Sequence, residues 1–221
     1  WNQPGAVPVV TAATDILAQV APVLPEAVCL RQTVAKISIF IDEAQAGLAL
    51  TEEAAACWRS RPQAVTGLLQ LADSAIDGVS VSPATGEALL HRHGTVQPCP
   101  LSLESSGVRK MAALSPALLR AFDRGVTLLV DQLDRDWPTP VLQKLFRQYV
   151  HNEANQGQII GTVHDLLLLD NLLFQPEQLF LLRRDEQQQT RLWSVGDYRL
   201  RSEKRRLYDA YLKGAFDRPP A

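Results

Sequence analysis

The chain has 221 residues, enough for one large domain or a domain with a subdomain, and 46% of them are hydrophobic, enough for a real core. A formal net charge of −2 excludes a global basic field of the kind that announces nucleic acid. The charge is uneven, however: of the 22 Lys and Arg, 17 lie from Arg109 onward, and the first hundred residues are rich in Ala, Val and Leu.

Cys29, Cys57 and Cys99 are odd in number and widely spaced, and no C-x-x-C occurs. That pattern points to a reducing cytoplasm and free thiols rather than a disulfide or zinc frame. No apolar run reaches the length of a membrane span and no signal peptide opens the chain, so a cytoplasmic location without membrane contact is expected. Trp1 rather than Met at the start suggests a cut N-terminus or an incomplete gene.

Residues 1–9 carry two Pro and a Gly and read as a loop. The spacing of Ile16, Leu17 and Val20 predicts a helix over 11–23, which Pro25 ends. Residues 26–46 are expected to continue helically, with Ile37, Ile39, Phe40 and Ile41 in an apolar middle, up to a break at Gly47. Thr51 followed by Glu52 and Glu53 is a helix start, a cap with acids in the first turn. A further helix over 62–75 would put Leu68, Leu69 and Leu71 on its inner face. Residues 1–76 therefore read as a helical lobe.

Asp77-Gly78 is a turn signal. Val79 and Val81 alternate with serines as in a half-buried strand, Pro83–Gly86 turns, and Ala88–His93 returns as a second strand. His91 and His93 share a face of that strand, and with no Cys or acid completing a ligand set they read as solvated. Ser105, Ser106 and Gly107 stand at the mouth of a helix over 108–122. Outward backbone N–H groups and the helix dipole make such a mouth an anion site, although an ordinary N-cap has the same sequence.

Gly125 opens the apolar run Val126–Val130, which closes on Asp131 and reads as a buried central strand. Its acid lies at the carboxyl end, where open α/β sheets bind ligands, in the layout of a Walker B strand facing nucleotide-bound magnesium. A helix over 139–150 and a polar loop over 152–157 follow. Residues 158–163 form a second buried strand ending at His164-Asp165, and a leucine-rich helix over 166–173 comes next. Strands near 179–182 and 190–195 form a hairpin around the polar loop 184–189, and 201–213 is a charged helix. The acids Asp134, Asp136, Asp165, Asp170 and Asp185 are too scattered for a nuclease metal site.

The order of these features resembles the C-terminal half of the ABC-type ATPases of the AAA family or OLD-like group, common in prokaryotic phage defence. Their run is Ser-x-Gly-x-x-Lys/Arg, then a Walker B ending Asp-Glu-Leu-Asp, then Thr-Thr-His-Asp. Here Ser105–Lys110, Asp131–Asp134 and Thr162–Asp165 stand in that order, and Tyr211-Leu-Lys-Gly-Ala-Phe-Asp-Arg-Pro219 resembles the group's ending. The match covers roughly residues 60–221.

The resemblance implies an α/β fold, a P-loop NTPase-like core over 77–221 missing its N-terminal strand and P-loop, beside the helical lobe of 1–76. It implies an ATP-binding and ATP-hydrolysing subunit that uses Mg2+ with ATP and works as a homodimer sandwiching the nucleotide. Ser105, Ser106 and Gly107 match the signature that touches the γ-phosphate of ATP held by the opposite subunit. Asp131 matches the magnesium-side acid, Asp134 the D-loop acid at the dimer interface, and His164 the switch histidine. Gln132 stands where the family has its catalytic Glu, and no G-x-x-x-x-G-K-[ST] cradle occurs. The family's Leu-Asp-x-Ser-Leu-His-Pro is replaced by Leu133-Asp-Arg-Asp-Trp-Pro-Thr-Pro140. An effector protein, nuclease or toxin, is the partner the group implies. The alternative is a degenerate, non-hydrolysing relative serving as a protein- or DNA-binding regulatory module. Arg199–Arg206 with Lys213 could face DNA, but reads as a solvated helix face.

Overall fold

The computed structural model describes residues 51–170, 172–185, 187–198 and 207–220, and the backbone of 37–40. The helix expected over 11–23 and the basic stretch 199–206 lie outside the described residues.

Three helices pack around one apolar cluster. Helix α1 (Glu52–Ser60) starts where the Thr51 hydroxyl accepts the Ala54 N–H, with Glu52 and Glu53 in its first turn, and it buries Trp58. Helix α2 (Pro62–Ala72) opens on Pro62, which lacks the N–H that a first helical residue does not need. Its Val65, Leu68, Leu69 and Leu71 are buried, the three-to-four spacing of one helix face. Helix α3 (Ser106–Arg124) is capped by Ser105 and ends on Gly125, whose φ of 64° is the left-handed conformation that glycine adopts without strain. The cluster runs without interruption from Trp58 to Leu173, so it crosses position 76 and joins the helices to the strands beyond it.

Pro116 stands inside α3 and cannot donate to the carbonyl of Ala112. The Ser115 hydroxyl donates there instead at 2.8 Å, and the Trp58 indole N–H donates to Ser115 Oγ at 3.3 Å. The buried carbonyl and the buried indole are thus both satisfied.

Strands β2 (Ile76–Val81), β3 (Ala88–Arg92) and β4 (Cys99–Pro100) form an antiparallel sheet in the order β2-β3-β4. Asp77-Gly78, expected to turn, lies within β2, where the register slips between Ile76 and Gly78 as in a bulge. The turn at Pro83–Gly86 is present, with Gly86 at φ 70° and its N–H donating to the Ser82 carbonyl.

The second sheet is parallel, in the order β1-β5-β6, with β1 (Ile37–Phe40), β5 (Thr127–Val130) and β6 (Gln158–Gly161). Phe40, Val130 and Gly161 are in register at its carboxyl end. Strand β1 corrects the helical reading of 26–46 at Ile37–Phe40: a run rich in β-branched and aromatic residues pairs with β5, and the ladder overrides a helical continuation. Strand β5 is central as expected, whereas β6 is not buried: it is outermost among the described strands, and Ile160 is 52% exposed.

Helix α4 (Thr139–Leu145) runs into a π turn over Phe146–Val150. The leucine-rich helix expected over 166–173 is corrected to one 3-10 turn, Leu166–Leu168. Asp165 accepts the Leu167 N–H and Asp170 accepts the Leu172 N–H, and these local bonds compete with helix propagation. The hairpin expected near 179–195 is present as β7 (Phe180–Arg184) and β8 (Thr190–Ser194). Val195 packs with Leu207, Ala210 and Phe216 in a second cluster, which holds helix α5 (Leu207–Leu212). No helix among the described residues is long and apolar enough to cross a membrane.

Candidate functional site

Parallel pairing puts the carboxyl ends of β5 and β6 side by side, so the residues that continue each strand meet. Asp131 comes directly after Val130, and Thr162 directly after Gly161. The Thr162 hydroxyl donates to Asp131 Oδ1 at 2.6 Å, and its oxygen accepts the Gln132 N–H at 2.7 Å. The Thr162 N–H donates to the Val130 carbonyl, and the Thr162 carbonyl accepts the Leu133 N–H at 2.8 Å. One threonine thereby fixes the chain on both sides of Asp131. Gln132 is held at φ 49°, a left-handed conformation that costs a non-glycine residue energy and persists where surrounding bonds over-determine it. Asp131 and Gln132 are both exposed to solvent.

The turn after β5 also grips the loop after β6. Asp134 Oδ2 accepts the N–H groups of His164 and Asp165, each at 2.8 Å. Its other oxygen, Oδ1, is shielded from solvent and meets no donor among the described residues. Asp165 is itself held, accepting the Leu167 N–H at 2.9 Å and the Thr139 hydroxyl. His164 is exposed at the same carboxyl edge as Asp131.

The mouth of α3 approaches this turn from the other side. The Ser105 hydroxyl accepts the Val108 N–H at 3.3 Å, so it is spent on capping, while Ser106 is exposed. Gly107 lies under the loop: a Cβ there would stand 2.8 Å from the Asp136 carbonyl oxygen and 3.3 Å from the Trp137 ring. The Trp137 indole N–H donates to the Gly107 carbonyl at 2.8 Å. Lys110, 4% exposed, donates from its ammonium to the carbonyls of Gln132, Leu133 and Arg135 at 2.8, 3.3 and 2.7 Å, and lies 5.1 Å from the centre of the Trp137 ring. A buried ammonium is tolerable only with acceptors of this kind.

The sequence-predicted residues fall into two groups that share one turn. Asp131, Gln132, Asp134 and His164 gather at the β5–β6 edge, and Ser105, Ser106 and Gly107 form the α3 mouth. Thr162, Lys110 and Trp137 hold them together, and the sequence assigns none of the three a role. Thr162 and Lys110 lie within the runs Thr162–Asp165 and Ser105–Lys110, but their partners are carbonyls, a carboxylate and an N–H from other segments, which the sequence does not display.

Upstream of the mouth, Arg92 grips Glu104 with two hydrogen bonds of 2.6 and 2.7 Å and reaches Asp73 with two more. The Arg92 hydrogen bonds hold the Glu104 carboxyl below the ordinary glutamate range, against the effect of its burial. His91, on β3, pairs with Ser80, and His93, just past the end of that strand, pairs with Asp77. Cys57 and Cys99 are free thiols, and burial raises the pKa of each. Among the described residues no three His, Cys, Asp or Glu side chains converge as a metal cage. No protein-family model matches this chain, and no curated protein matches it.

Proposed function

We propose that this chain is part of an ATP-binding and ATP-hydrolysing subunit of the ABC-type, AAA or OLD-like group, with a P-loop NTPase-like core, acting as a dimer that sandwiches ATP. The observation that carries this is the pairing of Asp131 and His164 at one carboxyl edge, joined through Thr162 and Asp134. An exposed carboxylate and an exposed imidazole at one sheet edge are groups suited to hydrated magnesium and to a phosphate oxygen.

Asp131 fits the magnesium side. It is exposed, and hydrated Mg2+ that shares its shell with phosphates needs only one or two carboxylates from protein. Bound there with ATP, Mg2+ would offset charge developing on the phosphates. Gln132 would orient the attacking water, and His164 would donate to a γ-phosphate oxygen. The N–H groups of Ser106 and Gly107, at the start of a 19-residue helix, suit the γ-phosphate of a nucleotide held by a second subunit. No G-x-x-x-x-G-K-[ST] phosphate cradle occurs in these 221 residues, so weak binding of ATP by this chain alone fits the reading. An effector such as a nuclease or toxin is the partner of this function in a phage-defence setting, in the cytoplasm.

One observation favours a second reading, a non-hydrolysing regulatory relative that binds protein or DNA: an amide, Gln132, occupies the water-side position. Titrating the isotope-labelled chain with millimolar Mg-ATP and following its amide resonances tests the site. Weak binding is expected, with shifts at 131–134 and 162–165, joined by 105–108 only where a second copy closes on the nucleotide, and lost in Asp131→Ala. Shifts that avoid Asp131 and His164 would overturn the assignment, and micromolar affinity would reveal a phosphate site elsewhere in the chain.

A further inference from the structure

We infer that Asp134 is a positioning residue within its own chain: its carboxylate is a latch that holds the His164 loop against the turn after β5. This deepens the ATPase reading and rests on it for the role of His164, but the latch itself is a matter of geometry. Resemblance alone implies Asp134 for a dimer contact. The carboxylate is instead turned inward, with Oδ2 taking two backbone N–H groups at 2.8 Å from consecutive residues, His164 and Asp165. Two N–H groups converging on one carboxylate oxygen form charge-assisted hydrogen bonds, stronger than neutral ones and demanding in direction.

The residues on either side show why a latch is needed. Gly161 and Thr162 are carried by the β-ladder and by Thr162's bonds to Val130 and Leu133. Beyond Thr162 the ladder ends, and Val163 and His164 are exposed. The His164 N–H has Asp134 as its acceptor, so this contact sets where the loop, and with it the imidazole, stands relative to Asp131. The turn that carries Asp134 is in turn anchored to α3 by Lys110, through the carbonyls of Gln132, Leu133 and Arg135. Lys110 and Asp134 therefore add to Thr162 and Trp137 in joining the α3 mouth, the Asp131 turn and the His164 loop. A displacement of α3 has a direct mechanical route to His164.

Amide hydrogen exchange on the full chain, read by NMR without nucleotide, tests the latch. In the wild type, the His164 and Asp165 amides are expected to be protected although their loop is exposed. Asp134→Ala should speed exchange at these two amides by about tenfold or more, while Leu133 and Thr162, held by backbone bonds, change little. Asp134→Asn, which keeps an oxygen acceptor, should restore most of the protection. Unprotected His164 and Asp165 amides in the wild type would overturn the proposal without any variant. An even rise in exchange across the whole chain in Asp134→Ala, or no change at the two amides, would also overturn it. Failure of the Mg-ATP titration would remove the ATPase reading and leave this result standing, so the two can fail separately.

Discussion

At Gln132 the backbone and the side chain make separate demands. The left-handed φ of 49° is set by Thr162, which takes the Gln132 N–H, and by the Leu133 N–H bond to the Thr162 carbonyl. That geometry leaves the side chain exposed beside Asp131. A carboxamide can orient a water molecule but cannot take its proton at neutral pH. A well-placed general base contributes roughly 10²–10⁴-fold in rate. In a protein that also carries the phosphate cradle, Gln132→Glu is expected to raise single-turnover hydrolysis and shorten the lifetime of the ATP-bound dimer. Equal rates for wild type and variant would place the water elsewhere. The same residues show what a sequence displays at this scale. The place of Asp131 at a strand end was legible because an apolar run closing on an acid is a local pattern, whereas the roles expected of Gln132 and His164 rest on the resemblance. Lys110 was not legible, because its partners are main-chain oxygens 22 to 25 positions away, and a buried lysine has no periodic signature.

Among the elements, α3 combines a flaw with its repair. Proline at 116 removes a helix hydrogen bond, and Ser115 supplies the missing donor while accepting one from Trp58. Ser115→Ala should strand the Ala112 carbonyl and the Trp58 indole in a dry interior, a loss of about 2–3 kcal/mol. The double variant Ser115→Ala/Pro116→Ala, which returns an N–H to the helix, should recover part of it. Urea unfolding of the three proteins gives the comparison, and additive effects would refute the coupling. The termini of α1 and α3 were readable because caps act within three residues, as Thr51, Ser105 and Gly125 do. Strand β1 was misread because a short apolar run has no period long enough to tell strand from helix, and its pairing partner lies some ninety residues on. The helix expected over 166–173 failed for a different reason: Asp165 and Asp170 turn the chain locally, and a leucine count does not register that.

At the scale of the molecule, packing among the described residues continues across position 76. The apolar cluster runs from Trp58 to Leu173, and Arg92 ties the end of α2, the β3 strand and the approach to α3 through Asp73 and Glu104. That clamp makes stability depend on acid. With its folded pKa held below the unfolded value, Glu104 contributes stability that is complete above the unfolded value of about 4.3 and fades as pH falls through the folded one. Wild type should therefore exceed Glu104→Gln in thermal stability at neutral pH, with the gap closing below about pH 4. A gap that stays constant down to pH 3 would show that the Arg92 contact does not depend on the glutamate's charge.

Strand β6 has one further consequence, for how the chain behaves at high concentration. Among the described residues its far side faces no neighbouring strand, and it carries Ile160 at 52% exposure. Such a border is a template on which a second molecule can add its own strand, and natural sheets guard against this with charge. Gln158-Ile-Ile-Gly161 has none. Light scattering should therefore rise with concentration and time, and Ile160→Lys should suppress it while leaving the melting temperature close to that of the wild type, since a residue half in water loses little core on substitution.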